Sequence, residues 1–401
     1  MSVPPEQQVP PAPGPAPLPG TRRRGAVVVA HPSPDLYGSD LQLLESISAL
    51  VDRGRHVVLV LPEDGPLAPR AAARGAEVRL ARFPVLRKSL LHPRRLPGAL
   101  LDHVRALVGA AHWLRGLRPD LVYVNTLTLP VWTLAARLAG TRVLCHVHEA
   151  EEDAPRPVVA ALTAPLLLDH AVVANSETAR RALALVFGSL ASRTRVVYNG
   201  VPGPAEPVPS RSRAVGDPLH LVLVGRLSPR KGTDVALEAV AQLVARGVDA
   251  RIRLCGSVFP GYEWFEDELR RRAAGPDLAG RVELLGYVAD TWPELAAADV
   301  VLVPSRVEPF GNTAVEALLA GRPLVVSDTQ GLAEIVRPGV TGLLAAPGDA
   351  AALADAVARL AEDPAAAAAL AARGRADARA RFGVDRYAGE LADAVEAAAR
   401  A

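Results

Sequence analysis

Between Val300 and Asp328 the chain reads VVLVPSRVEPFGNTAVEALLAGRPLVVSD. Val300–Val303 is a short, unbroken apolar run, the pattern of a strand buried on both faces. A loop of Pro, Ser, Glu and Gly follows. An amphipathic pattern then begins near Asn312 or Thr313 and stops at Gly321, with Pro323 just beyond, so both helix-stop signals are present. The next buried run, Pro323–Val326, starts at once. Strand, loop, helix and strand joined so tightly form a βαβ unit, whose strands lie parallel.

The same alternation extends in both directions. Downstream of residue 218, buried runs at Leu219–Val224, Ala250–Cys255 and Val282–Gly286 alternate with helical patterns near 233–246, 262–274, 313–320 and 350–361. Upstream, runs at Ala26–Ala30, His56–Leu61, Glu77–Leu80, Leu121–Val124, Val143–Val147, Ala171–Ala174 and Val196–Tyr198 do the same. The reading is α/β, with two doubly wound, Rossmann-like domains. The expected boundaries are a Pro-rich disordered tail at 1–24, a first domain at 25–205, a Pro/Gly-rich linker at 206–218 and a second domain at 219–380. A last helix within 381–401 is expected to pack back towards the first domain.

Composition narrows the classes. Half of the residues are apolar and only 4% aromatic, which suits Ala/Leu helices around buried parallel strands. A net charge of +2 predicts no nucleic-acid partner. Positive charge is nearly all Arg, with Lys only at Lys88 and Lys231. Cys145 and Cys255 end strands in different halves, so neither a disulfide framework nor a zinc site is expected. With no secretory signal, and with the apolar stretch Pro157–Ala174 broken by Asp169 and His170, the expectation is a cytoplasmic chain that does not cross a membrane.

In parallel sheets ligands bind beyond the carboxyl ends of the strands, so chemistry is sought there. Glu308 lies in the loop after Val303, and Glu316 lies in the helix that follows. Gly311, Asn312 and Thr313 offer backbone N–H groups at that helix's N-terminus, where a phosphate or a hydroxyl can bind. Glu316 also fits a capping box with Thr313, and Glu308 reads equally as a surface acid. In LHLVLVGRLSPRKG (219–232), Arg226 and Lys231 follow a strand. They suit a diphosphate, whose growing negative charge needs fixed cations, or they form an exposed basic turn. No Walker Gly-Lys-Ser/Thr is present. Gly38, in LYGSD after the first strand, lets backbone approach a ligand or simply makes a turn. His146 and His148 share a strand face in VLCHVHEAEED (143–153). A metal site from them with Glu149 or Asp153 lacks the His-Glu-x-x-His spacing, so His148 reads better as a polar substrate contact and His146 as a core histidine.

Taken in order, LYGSD, VHE, ANSETARRAL, VVYNGV, VGRLSPRKG, VELLGYV, the Val303–Asp328 block, GLAEIV and GVTGLL resemble the retaining glycosyltransferases of family 4. Those enzymes have the GT-B fold of two facing Rossmann-like domains. The likeness runs from about Gly25 to the C-terminus. It implies that Glu308 contacts donor-sugar hydroxyls, Glu316 binds the ribose, and Arg226 and Lys231 hold the diphosphate. It also puts His148 near the reaction centre, Gly38 in the loop lining the cleft, Val288 beside the nucleobase, and Phe310 to Thr313 around the sugar. The family often has a small residue where Pro309 stands and an aliphatic one at Asn312; both border the sugar pocket. It further implies a nucleotide-diphosphate-sugar co-substrate, no other cofactor and no metal, and a front-face transfer in which the leaving diphosphate helps deprotonate the acceptor.

The expected acceptor is a glycan, a lipid-linked sugar or a small molecule. From Arg79 to Arg118, basic residues (Arg79, Arg82, Arg87, Lys88, Arg94, Arg95, Arg105, Arg115) interleave with Phe83, Leu86, Leu90, Leu91, Leu96, Leu100, Leu101 and Trp113. That suits either peripheral contact with an anionic membrane or a helix facing the core. A nicotinamide enzyme is excluded by the lack of Gly-x-Gly-x-x-Gly. A GT-B epimerase, a phosphorylase or a catalytically lapsed sugar-nucleotide-binding protein remains as the alternative.

Overall fold

The computed structural model describes residues 25–86, 96–150, 155–206 and 216–401, with Val208 and Arg213. The Pro-rich tail and much of the 206–218 linker lie outside the described residues, as do Arg87, Lys88, Leu90, Leu91, Arg94, Arg95 and Asp153. Among the described residues no helix is long and apolar enough to cross a membrane.

Among the described residues, thirteen strands form two sheets. The first holds β1 (Ala26–Ala30), β2 (His56–Leu61), β3 (Glu77–Leu80), β4 (Leu121–Val124), β5 (Arg142–Val147), β6 (Ala171–Ala174) and β7 (Thr194–Val196). The second holds β8 (Leu219–Val224), β9 (Ala250–Cys255), β10 (Val282–Gly286), β11 (Val300–Val303), β12 (Leu324–Ser327) and β13 (Leu343–Ala345). Their orders are β3-β2-β1-β4-β5-β6-β7 and β10-β9-β8-β11-β12-β13, and every pairing is parallel. Both orders reverse direction once, between β1 and β4 and between β8 and β11. A crevice opens at such a switch point because successive loops leave in opposite directions.

Side chains on successive strand residues point to opposite faces, and both faces are covered. Val27 and Val29 join one core while Val28 and Ala30 join another. In the second sheet Leu221 and Leu223 are separated from Val222 in the same way. That double burial is why the strands read as continuous apolar runs rather than alternating ones.

Two strands differ from the sequence expectation. The edge strand β7 covers Thr194–Val196, not Val196–Tyr198, because Tyr198 leaves the sheet to set its ring against Phe310 and Phe382, at 6.2 and 5.7 Å. The edge strand β13 was not anticipated; three residues, Leu343–Ala345, give too little periodicity to stand out.

The last helix, Val384–Arg400, lies on the helix Gly38–Asp52 and inserts Tyr387, Leu391 and Val395 into the first sheet's core. The Tyr387 hydroxyl meets Ser46 Oγ at 2.6 Å. A Cβ on Gly200 would lie 2.5 Å from Tyr387 Cβ, so only glycine admits this crossing. The halves are also joined at Glu334. Its carboxylate accepts from Glu177 N (2.9 Å), Thr178 N (2.6 Å) and Thr178 Oγ1 (2.6 Å) at a helix N-terminus, where negative charge is favoured.

Candidate active site

The loops leaving β8 and β11 are forced together by glycine. Gly232 has φ +67°, and a Cβ there would sit 2.0 Å from Pro304 O. The β8 and β9 loops crowd in the same way, since a Cβ on Gly256 would lie 1.8 Å from Gly225 O. The closeness at Gly232 brings Lys231 of the β8 loop into an ion pair with Glu308 of the β11 loop, and Ser305 Oγ donates to the same carboxylate at 3.2 Å. Burial alone would push the Glu308 carboxyl up; Lys231, Arg230 and the Ser305 hydroxyl outweigh it and hold it below the ordinary glutamate range. The loop is tied further by Glu308 N donating to Gln330 Oε1 at 3.0 Å.

Glu316 has the opposite fate. Burial pushes its carboxyl up to about 7, opposed only by Lys231. One glutamate is held ionised and the other is poised to share a proton, the divergence expected when only one has close donors. The capping-box reading of Glu316 is corrected here. The helix runs Asn312–Leu319 with Gly311 (φ +119°) as its N-cap, so Thr313 and Glu316 stand one and four residues past the first helical position and cannot satisfy each other's box. The Phe310 side chain is 3% exposed and packs in the core, leaving its backbone to meet a ligand. Thr313 is half-buried at the N-terminus, where the first N–H groups lack intrahelical acceptors. Val288 is half-buried after β10 beside the exposed Tyr287.

Arg226, at the tip of β8, reaches the first half. Its guanidinium carbon lies 3.3 Å from the Tyr37 ring centroid and 2.9 Å from that of Phe259, a cation–π sandwich. Nearby, Asn312 Nδ2 donates to Gly38 O at 3.4 Å and Asn199 Nδ2 donates to Asn312 Oδ1 at 2.9 Å. The carboxyl ends of the two sheets therefore face each other, with Gly38, Asn312, Arg226, Lys231 and Glu308 drawn to one region.

On the first half's side, His148 follows β5. Its Nε2 lies 2.9 Å from Asn125 Oδ1, Asn125 Nδ2 lies 3.0 Å from His31 Nδ1, and His31 Nε2 lies 2.7 Å from Asp40 Oδ1. Burial, with His31 adding to it, lowers the His148 pKa to about 3. His146 is fully buried with Nδ1 on the Tyr123 hydroxyl at 2.5 Å, so it is a core histidine. Glu149 bonds the Thr126 hydroxyl and accepts from His148 N at 3.0 Å. Among the described residues no cluster of His, Cys, Asp or Glu is placed to hold a metal ion.

Sequence reasoning missed Tyr37, Phe259, His31, Asp40 and Asn125. Phe259 and Asn125 each follow a strand's carboxyl end, so the rule that found Arg226 could have found them. His31 directly follows β1 and falls under the same rule; Asp40, inside the helix Gly38–Asp52, carries no such signal.

Two parallel doubly wound sheets, facing each other at their carboxyl ends with cations and carboxylates gathered at one switch point, define a GT-B glycosyltransferase. The family model described as "Glycosyl transferase 4-like domain" matches residues 38–200, and that for "Glycosyl transferases group 1" matches residues 218–363. The chain belongs to this family, the group 1 or family 4 glycosyltransferases. It is 30% identical over 382 residues to D-inositol 3-phosphate glycosyltransferase of Nocardia farcinica, covering 85% of this chain and 82% of that one. Against the protein of the same name from Thermobispora bispora it is 29% identical over 403 residues, covering 92% and 94%. Among solved structures, Anabaena HepE in complex with UDP and glucose superposes with a TM-score of 0.77 at 26% identity, covering 92% of this chain and 99% of that one.

Proposed function

We propose that this glycosyltransferase takes its sugar from a nucleoside diphosphate sugar, with a UDP-hexose the first candidate. It passes the sugar, with retention of anomeric configuration, to a hydroxyl of a glycan, lipid-linked or small-molecule acceptor. The observation that carries the reading is the Lys231–Glu308 ion pair at the switch point of the second sheet. Without ligand, each neutralises the other. A diphosphate is the natural replacement partner for Lys231, and a sugar's hydroxyls are the natural donors to Glu308. HepE, whose structures hold UDP, glucose and UDP-glucose, supports the uridine nucleotide.

In the proposed reaction the bond from the anomeric carbon to the β-phosphate oxygen breaks, and the electron pair leaves with the diphosphate. Arg226 and Lys231 stabilise that charge. The acceptor oxygen attacks from the same face, and its proton passes to the departing phosphate oxygen. Fixed cations make a metal unnecessary for this step. Glu316 binds the ribose, Gly38 and Asn312 close over the sugar, the backbone at Gly311 and Thr313 meets hydroxyls or phosphate, and Val288 flanks the base. His148 is a hydrogen-bonding contact at the sugar.

The test is thermal shift with UDP, GDP, ADP and their sugars, with and without magnesium, followed by transfer assays on an acceptor panel that includes inositol 3-phosphate. A nucleotide that binds the folded state raises Tm. The expected result is a metal-independent shift by UDP, lost in Lys231→Ala, and an α-linked product from an α-linked donor. No shift with any nucleotide, or an inverted product, overturns the reading.

Peripheral membrane contact is a second reading favoured by one observation. Phe83 and Trp113 turn inward onto Trp132, but Leu100, Leu101, Val104 and Val108 are 67, 49, 48 and 62% exposed on one helix. Flotation with anionic liposomes at low salt tests it; failure to float removes it.

A further inference from the structure

The polar file from Asp40 to His148 has a direction that its chemistry imposes. Asp40 Oδ2 accepts from Tyr37 N at 2.8 Å, and its Oδ1 faces His31 Nε2. A carboxylate only accepts, so His31 Nε2 carries a proton. The neutral imidazole then has a bare Nδ1, which takes the Asn125 amide N–H. That fixes the Asn125 carbonyl towards His148 Nε2, which must be protonated to complete the file. Each link leaves one choice for the next.

We propose that Asp40, His31 and Asn125 are positioning residues that hold His148 as the Nε2–H tautomer, so that its Nδ1 is the nitrogen free to accept a hydrogen bond from a sugar hydroxyl. The last clause rests on the function proposed above; the tautomer does not. The reverse polarity would need His31 doubly protonated, Asn125 turned over and His148 protonated at Nδ1. That arrangement makes His31 an imidazolium at 0% exposure, paired with Asp40, and adds one more charge to be desolvated than the forward file does, a cost that a buried pair often fails to repay. The forward file carries one charge, on Asp40. Its three inner members are 0 to 2% exposed, whereas His148 is half-buried, so the fixed polarity is delivered where solvent or substrate can meet it. The neighbouring titratable groups hold other partners or none: His146, 4.2 Å away by ring centroid, bonds Tyr123 through Nδ1 and has no hydrogen-bond partner at Nε2 among the described residues, and Glu149 takes the His148 backbone N–H.

The test is nitrogen-15 NMR of the ligand-free full chain labelled at histidine, with the His148 signals assigned by their loss in His148→Gln. The expected spectrum at about pH 7 shows His148 protonated at Nε2 and bare at Nδ1. A protonated Nδ1, in either a neutral or a charged ring, overturns the proposal. In Asp40→Asn the anchor loses its acceptor-only character. The expected outcome is a mixture of His148 tautomers and a kcat lowered about tenfold, with donor KM within about twofold of the parent. A folded Asp40→Asn chain with an unchanged His148 spectrum and unchanged kcat also overturns it. If the parent chain transfers no sugar while Nε2 is protonated, the function fails and the tautomer assignment stands.

Discussion

On the second half's side of the site, Lys231 and Glu308 meet as full charges and Arg226 is stacked between two rings. On the first half's side, His31, Asn125 and His148 pass hydrogen bonds among neutral groups from a single carboxylate, Asp40. Under the proposed function the difference follows from the work each side would do. A leaving diphosphate develops charge and calls for fixed opposite charge. A hydroxyl calls for a correctly directed acceptor or donor, which needs orientation more than charge. Buried charge and buried orientation fail differently when a member is removed, and that is where the contrast can be broken.

The largest effect belongs to Lys231→Ala. Glu308, 7% exposed, would keep its buried charge without its partner, a loss of roughly 3–5 kcal/mol where a buried pair is broken. Turnover is expected to fall by about 10²- to 10³-fold, the scale for removing one transition-state donor. Urea unfolding and single-turnover rates measure the two losses separately. The pair Lys231→Met with Glu308→Leu is expected to recover most of the stability and none of the activity. Recovery of activity would show that the second half's charges are structural.

Glu316 gives the next effect and a sign. Its carboxyl is raised from 4.5 to about 7 in the folded chain, so over that window the folded state holds a proton that the unfolded state has lost. Stability therefore falls as pH rises from about 4.5 to 7 and levels off above, by on the order of 2 kcal/mol. Glu316→Gln removes this contribution, so its advantage over the parent in Tm grows across that range. Equal pH slopes in the two chains would mean that Glu316 is solvated, and the contrast with Glu308 would collapse.

The two sides were not equally legible in the sequence. Lys231 and Glu308 stand in the loops that follow buried runs, so the strand-end rule reached them, although each also reads locally as an ordinary surface charge. The parallel sheets were legible for a related reason: double burial makes β1 and β8 nearly pure apolar runs. The file from Asp40 to His148 was only partly legible: His31, Asn125 and His148 each stand just after a strand (β1, β4 and β5), within reach of the strand-end rule, but the contacts joining them span up to 94 residues. His148 alone was singled out, without its partners. The capping box at Thr313 and Glu316 failed because Gly311, with its positive φ, starts the helix earlier than side-chain chemistry suggested. Tyr37 was quoted within LYGSD and passed over, since a ring's partner across two halves leaves no local trace.

That ring supplies the smallest effect. Tyr37 belongs to the first half and Arg226 to the second, so their stacking joins the two sides in the ligand-free chain. A partly exposed cation–π contact contributes about 0.5–1 kcal/mol, and Tyr37→Ala is expected to lower Tm by about 1–2 °C. A diphosphate must draw the guanidinium away from the rings that already satisfy it. Removing one ring lowers that cost, so UDP is expected to bind Tyr37→Ala about two- to fivefold tighter by calorimetry. Phe259→Ala, which alters the same sandwich without touching the first half, is expected to change UDP affinity in the same direction. Weaker UDP binding in Tyr37→Ala alone would mean that the ring stays on Arg226 in the complex, making the first half part of the diphosphate site and removing the division of labour between the two sides.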